Sequence, residues 1–223
     1  MARKIQVVEA ILSANDRLAD LNRSRLDNAG IYSLNLMASP GAGKTSLIET
    51  TLRQLANHIS IAVIDGDIAT DIDAKRAANA GAIAYQINTG GECHLDARMI
   101  EIALTNMVLD HIDLLLIENV GNLICPASFR LGAHKSVLIA SVPEGDDKPY
   151  KYPGIYRGVD ALVINKIDLL PYIKFDMDYF KTGVQILNPG LVTFEVSCQT
   201  NDGIEGWLDW IRQEVGLATG ISN

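Results

Sequence analysis

The sequence predicts a doubly wound α/β domain built on a mainly parallel sheet. Three observations carry that prediction. Short, almost unbroken apolar runs recur along the chain, helical patterns separate most of them, and a Gly-rich turn follows the first run. Strands covered on both faces read as continuous apolar runs, and parallel strands need helical crossovers between them. In such sheets ligands bind beyond the carboxyl ends of the strands.

Composition agrees with this class. A length of 223 residues suffices for one main domain with a self-supporting core. The hydrophobic share of 48% with 21% charged residues is ordinary for a soluble α/β domain. Lys and Arg number 19 against 27 Asp and Glu, a net charge of -8. That balance argues against nucleic acid as a partner, because neutralising phosphates requires a basic face. No apolar run approaches the roughly 20 residues of a membrane span, and charges interrupt what a secretory signal would keep apolar. Three cysteines make no disulfide framework, so a cytoplasmic setting with reduced thiols is expected.

In chain order, residues 1–28 read as one amphipathic helix. Ile5, Val8, Ile11, Leu12, Leu18 and Leu21 recur at roughly helical spacing, and Asn28-Ala29-Gly30 supplies a stop. This helix, residues 1–30, is expected to pack on the domain formed by 31–223, with a partner chain as the alternative surface. Strands are predicted over 32–38, 59–65, 82–87, 114–117, 137–142, 161–165 and 191–197. Helices are predicted over 44–57, 74–80, 96–109 and 204–215.

The segment Ala38-Ser39-Pro40-Gly41-Ala42-Gly43-Lys44-Thr45 lies between a predicted strand and a predicted helix, the context a phosphate-binding loop requires. Gly41 and Gly43 let backbone N–H groups, that of Ala42 included, curl around a phosphate at a helix N-terminus. Lys44 is placed to reach the β- and γ-phosphates and so to act in catalysis. The hydroxyl of Thr45 is placed for Mg²⁺. Ala38 stands where the strict pattern has its first glycine.

Asn165-Lys166-Ile167-Asp168 follows the apolar run 161–164 and selects the base. A carboxylate at Asp168 can accept from both N1–H and N2–H of guanine, which adenine does not offer in that arrangement. Asn165 is expected to hold the loop and read the base edge, and the Lys166 stem to cover the ring. Ser197-Cys198-Gln199, ending the last strand, is expected to close the pocket with backbone N–H groups. The nucleotide indicated is GTP.

Two further strand ends carry acids. Asp65-Gly66-Asp67 and Glu118-Asn119-Val120-Gly121 are positioned to hold Mg²⁺, chiefly through Asp67 and Glu118. Asp71 reads equally well as a helix cap, and Asp73 is a candidate to position the attacking water. No glutamine stands beside Gly121 to orient that water, so slow hydrolysis is expected.

Cys93 and His94 are adjacent after the turn Thr89-Gly90-Gly91, and Cys125 follows the acidic strand end Glu118. Two thiolates and an imidazole suit Zn²⁺ or Ni²⁺. A second chain can complete such a three-ligand set across a two-fold interface. Plain core cysteines are the competing account. Cys198 is assigned to the base pocket.

Together these segments resemble the HypB family of nickel-incorporation GTPases, in the SIMIBI branch of P-loop proteins. The resemblance rests on SPGAGKTS (39–46), DGD (65–67), NTGGECHLDARMI (88–100), ENVGNLICPASFRLG (118–132), EGDDKPYKYP (144–153) and NKIDLLPY (165–172). It covers nearly all of 31–215. It implies a metal site of Cys93, His94 and Cys125 at a GTP-favoured homodimer interface, and phosphate binding by Gly41 through Ser46. It implies Mg²⁺ at Thr45 and a switch-region acid at Asp73. It also implies nucleotide contacts from Lys148 and Lys151 across the dimer. Many members carry a Cys-rich or His-rich N-terminal stretch, whereas the first cysteine here is Cys93, so high-affinity nickel storage is not expected. The family role implied is nickel delivery to the large subunit of [NiFe] hydrogenase with a small accessory partner.

Two alternatives stand beside it. The urease-maturation family UreG also handles nickel, but its motif places proline between cysteine and histidine, which are contiguous here. A regulatory GTP-dependent interaction module with structural cysteines is the other.

Overall fold

The structure is a computed structural model that describes residues 7–67 and 82–219. Asp71, Asp73 and the helix predicted over 74–80 lie outside the described residues. Among the described residues, seven parallel strands form one sheet: β1 Tyr32–Ala38, β2 Ile61–Asp67, β3 Ile83–Asn88, β4 Leu114–Glu118, β5 Lys135–Ser141, β6 Ala161–Asn165 and β7 Val192–Glu195. Their order is β3-β2-β4-β1-β5-β6-β7. Every neighbouring pair is parallel. The doubly wound class read from the apolar runs is the one observed.

The helices are α1 Val7–Ala29, α2 Lys44–Leu55, α3 Ala97–Asn106, α4 Lys148–Lys151, α5 Pro153–Arg157, α6 Met177–Leu187 and α7 Ile204–Thr219. On one face of the sheet, Leu34, Leu36 and Ala38 of β1 pack with Leu47 and Leu52 of α2 and Trp207 and Ile211 of α7. The other face carries two separate clusters. Ile64, Leu115 and Ile117 meet α1 and α3, while Leu138, Leu162 and Ile164 meet α5 and α6. Each fully buried Leu or Ile contributes about 1.5–3 kcal/mol, so these clusters fix the strand ends from which the functional loops leave. Because β1 lies between β4 and β5, the loops after β1 and β4 emerge side by side.

Three expectations change. First, α1 does pack on its own domain, but through a different stripe from the one its apolar residues suggest. Ile11 and Leu21 are exposed, whereas Asn15, Ala19, Asn22 and Leu26 are buried at helical spacing. Ile5 and the side chain of Val8 lie outside the described residues. The reason is hydrogen bonding: Asn15 Nδ2 donates to Arg130 O (2.8 Å), and Asn15 Oδ1 accepts from Ala97 N (2.9 Å). Asn22 Nδ2 donates to Ala97 O (2.8 Å) and Leu131 O (3.1 Å). Buried amides that satisfy backbone groups can replace an apolar stripe. Second, the sequence reading omits α6, which turns only Phe180, Gly183 and Val184 fully inward behind an Asp176 cap that accepts from Tyr179 N. Third, several strand and helix ends move by one to four residues, β2 for instance starting at Ile61 and α7 ending at Thr219. Gly30 does end α1, in a left-handed conformation at φ 69.

Candidate functional site

The loop from Pro40 to Gly43 turns into α2 at the carboxyl end of β1. Gly43 stands at the helix N-cap with φ 103, and a Cβ there would lie 2.3 Å from Asn165 Nδ2. Both the backbone conformation and the close approach exclude a side chain. The loop floors a cleft of about 470 Å³ whose lining includes Gly41, Gly43, Lys44, Thr45, Ser46, Asp65, Glu118, Gly121 and Lys166. Ala42, beneath it, is fully buried. Free N–H groups at the start of α2, with Lys44 as its first residue, make this an anion cradle.

The acids of adjacent strands border the same cleft. Asp65 pairs in register with Glu118, and they are 2% and 5% exposed. Thr45 Oγ1 donates to Glu118 Oε1 at 2.7 Å. A hydroxyl and a carboxylate facing an anion cradle suit a hard divalent cation such as Mg²⁺. Asp67 ends β2, but its side chain lies outside the described residues. Asp65, from the same strand end, lines the cleft with Glu118.

A second cleft of about 310 Å³ adjoins the first, sharing Ser46 and Lys166, and is lined by Asn165, Asp168, Leu169, Cys198 and Gln199 as well. Asn165 ties three segments together. Its Nδ2 donates to Ala42 O (3.0 Å), and its Oδ1 accepts from Lys166 N (2.8 Å) and Cys198 N (3.4 Å). Lys166 adopts φ 63, and its Nζ donates to Gly41 O at 2.7 Å, which lays its stem over the phosphate loop. Ser197 Oγ donates to Asp168 Oδ1 (2.6 Å) and accepts from Gln199 N (3.2 Å) and Thr200 N (3.1 Å). The sequence reading gives the N–H groups of Cys198 and Gln199 to the base. In the structure they serve Asn165 and Ser197, so this segment shapes the pocket and aims the Asp168 carboxylate. Burial pushes the Cys198 thiol up to about 11, in keeping with a neutral wall residue.

The third group lies beyond the cleft. A regular strand would send Cys93 and His94 to opposite faces. Here β3 ends at Asn88, and Gly90 (φ 65) and Gly91 (φ 100) turn the chain, with Thr89 Oγ1 donating to Glu92 O at 2.9 Å. Cys125 opens a short turn of 3-10 helix, Cys125–Ser128, on the other side. Cys93 Sγ donates to Cys125 Sγ at 2.9 Å and lies 3.8 Å from His94 Nδ1. All three ligand atoms lie within 4.8 Å of one another. The His94 ring packs on Phe129 with centroids 4.0 Å apart. The hydrogen bond to Cys125, with some burial, raises the Cys93 thiol above its ordinary range. The sulfur pair thus retains a proton that a bound cation would displace. Two sulfurs and an imidazole form a soft-to-borderline donor set suited to Zn²⁺ or Ni²⁺.

Lys148 and Lys151 sit on α4 and line neither cleft; Lys151 pairs with Asp147, and Lys148 Nζ lies 5.5 Å from the Tyr152 ring centroid. Sequence reasoning missed the asparagines that hold the site. Asn119 and Asn122 bind the Cys93–Leu95 backbone, and Asn15 and Asn22 of α1 bind the backbone of Ala97, two residues further on. The one available signal was polar residues at inward helical positions of α1.

Residues 33–194 match the family model described as CobW/HypB/UreG, nucleotide-binding domain. The hydrogenase maturation factor HypB of Rhizobium leguminosarum bv. viciae is 44% identical over 210 residues, covering 94% of this chain and 70% of that protein. The crystal structure of the hydrogenase maturation factor HypB from Archaeoglobus fulgidus superposes with a TM-score of 0.85 at 41% identity, over 91% of this chain and 99% of that one. That of HypB from Helicobacter pylori in complex with nickel gives 0.86 at 38%, over 91% and 95%. No described helix is long and apolar enough to cross a membrane. The chain belongs to the CobW/HypB/UreG nucleotide-binding family and, within it, to the HypB hydrogenase maturation factors.

Proposed function

We propose that this chain is a cytoplasmic GTPase that loads and releases nickel during [NiFe] hydrogenase maturation, with nucleotide state governing the metal site. The observation that carries this reading is the convergence of Cys93, His94 and Cys125 at the far end of the loop that begins at Glu118, itself bonded to Thr45. Guanine is selected by Asp168, held by Ser197. Lys44 and the N–H groups of Gly41 through Ser46 grip the β- and γ-phosphates. Mg²⁺ would be held by Thr45 with Asp67 and Glu118, and would supply charge neutralisation at the phosphates. Asp73 positions the attacking water, whose oxygen bonds to the γ-phosphorus as GDP leaves. Nickel, or zinc in its place, is cargo at Cys93, His94 and Cys125. Three ligands per chain favour sharing that ion, or completing its shell, in a GTP-favoured homodimer. A small accessory protein and the hydrogenase large subunit are the partners proposed.

Equilibrium dialysis of Ni²⁺ and Zn²⁺ against the protein, with light scattering for mass, tests this reading. Each is run in Mg²⁺ with GDP and with a slowly hydrolysed GTP analogue. Affinity and mass are expected to change together with the nucleotide. Equal metal binding in both states, or none, overturns the delivery reading while leaving the GTPase reading in place.

A further inference from the structure

Residues 118–125 touch both sites. At one end Glu118 Oε1 accepts from Thr45 of the phosphate loop, and at the other Cys125 Sγ meets Cys93. Between them lie two asparagines, Asn119 at the wall of the phosphate cleft and Asn122 nearer the cysteines. Asn119 is 1% exposed and carries four bonds. Its Oδ1 accepts from Leu95 N (3.0 Å) and Val120 N (3.0 Å), its Nδ2 donates to Asn35 Oδ1 (3.1 Å), and its N–H donates to Leu36 O (3.0 Å). Asn122 Nδ2 donates to Cys93 O at 3.3 Å, while its Oδ1 accepts from Ile124 N at 3.0 Å. The peptide groups on both sides of His94 are therefore bonded to side chains of this one loop.

We propose that Asn119 and Asn122 are the positioning residues that make the metal site answer to the nucleotide. By holding Cys93 O and Leu95 N, they oblige Cys93 and His94 to travel with the loop that also carries Cys125. A displacement beginning at Glu118 then reaches all three ligand atoms as one movement. The inference rests on the proposed reading that nucleotide and metal both bind here. Coupling needs a physical element that both sites bias, and this loop, bonded at each end, is that element. The clamp from α1 is different in kind. Asn22 holds Ala97 O and Leu131 O, outside the 118–125 loop, and steadies the surroundings whatever the nucleotide.

The test uses the full chain with Ni²⁺ as the probe and measures its affinity in Mg²⁺ with GDP and with a non-hydrolysable GTP analogue. The readout is the ratio of the two affinities, which a purely structural defect does not move. In the unmodified protein it is expected between about 5-fold and 150-fold. Asn119→Ala and Asn122→Ala are each expected to bring it towards one. Asn22→Ala is expected to lower the urea midpoint and keep the ratio. If Asn119→Ala fails to fold, Asn122→Ala decides, because Asn122 is only half-buried. Ratios at the unmodified value in the Asn119 and Asn122 variants overturn the proposal. A ratio of one in the unmodified protein overturns the linked-site reading itself, and is distinguishable because no substitution is needed to see it.

Discussion

The phosphate cleft and the Cys–His cluster lie at the two ends of one short loop but are built on different supports. The cleft rests on consecutive residues of a strand, a turn and a helix, with Asn165 and Lys166 bonding the turn from across the sheet. Its geometry is set by backbone, and its acids emerge from buried strand ends. The cluster rests on two irregular segments with half-buried cysteines, each steadied by side-chain amides. What the difference teaches is a division of labour. A grip that must be ready before its ligand arrives belongs on rigid elements, whereas a grip that must open belongs on loops whose positions can shift.

Substitutions can break that comparison. Lys44→Ala removes the charge aimed at the phosphates and is expected to lower GTP hydrolysis about 10²- to 10³-fold, followed by phosphate release. Nickel affinity in the absence of nucleotide should stay unchanged, and its loss would mean that the two regions form one site. Conversely, Cys125→Ser or Cys93→Ser is expected to weaken nickel binding by at least about 10- to 100-fold, read by dialysis, with GTP affinity essentially retained. Metal content unaffected in both variants would exclude the proposed ligand set.

Smaller effects sharpen the comparison through pH. Because its bond to Cys125 raises the Cys93 thiol, protons compete with metal there beyond the ordinary thiol range. Nickel affinity should rise as pH increases from 6 to 9, about tenfold per unit where one proton is displaced, while GTP affinity stays flat. The smallest effect belongs to His134, beneath α1. Ser33 N and Ser33 Oγ both face its Nδ1 (3.0 and 2.8 Å), and Nε2 meets Asp27 (2.9 Å). Burial, then the Arg23 charge, holds its pKa below the ordinary value. The unfolded chain therefore takes up this proton first, and stability should fall as pH drops below about 6.5. Urea midpoints at pH 7.5 and 5.5 measure this, and His134→Gln should reduce the difference.

Legibility in the sequence followed the same division. Residues 38–45 and 165–168 announced themselves, because consecutive residues set that geometry and each loop leaves a buried strand. The acids Asp65 and Glu118 were visible as strand ends and both line the cleft, while the side chain of Asp67, the other acid expected to hold Mg²⁺, lies outside the described residues. Cys93, His94 and Cys125 were visible as residue types, but spacing alone left open whether they meet, since that depends on the Gly90–Gly91 turn and on two separate crossovers. The asparagines were the least legible. Asn15 and Asn22 sit where a helix reader expects apolar side chains, and Asn119 passes for loop polarity until its partners are known.

The fastening of α1 has a consequence for how this protein can change. Asn15 and Asn22 recognise only main-chain atoms of Ala97, Arg130 and Leu131. Such a fastener does not specify the identity of the residues it grips. Substitutions around the Cys–His cluster are then restricted by space, severely at buried Ala97 and Leu131, and at exposed Arg130 only by its surface ion pair with Asp20 of α1 (3.0 Å). Variation can thus explore the surface beside the Cys–His cluster without first rebuilding the attachment that holds it.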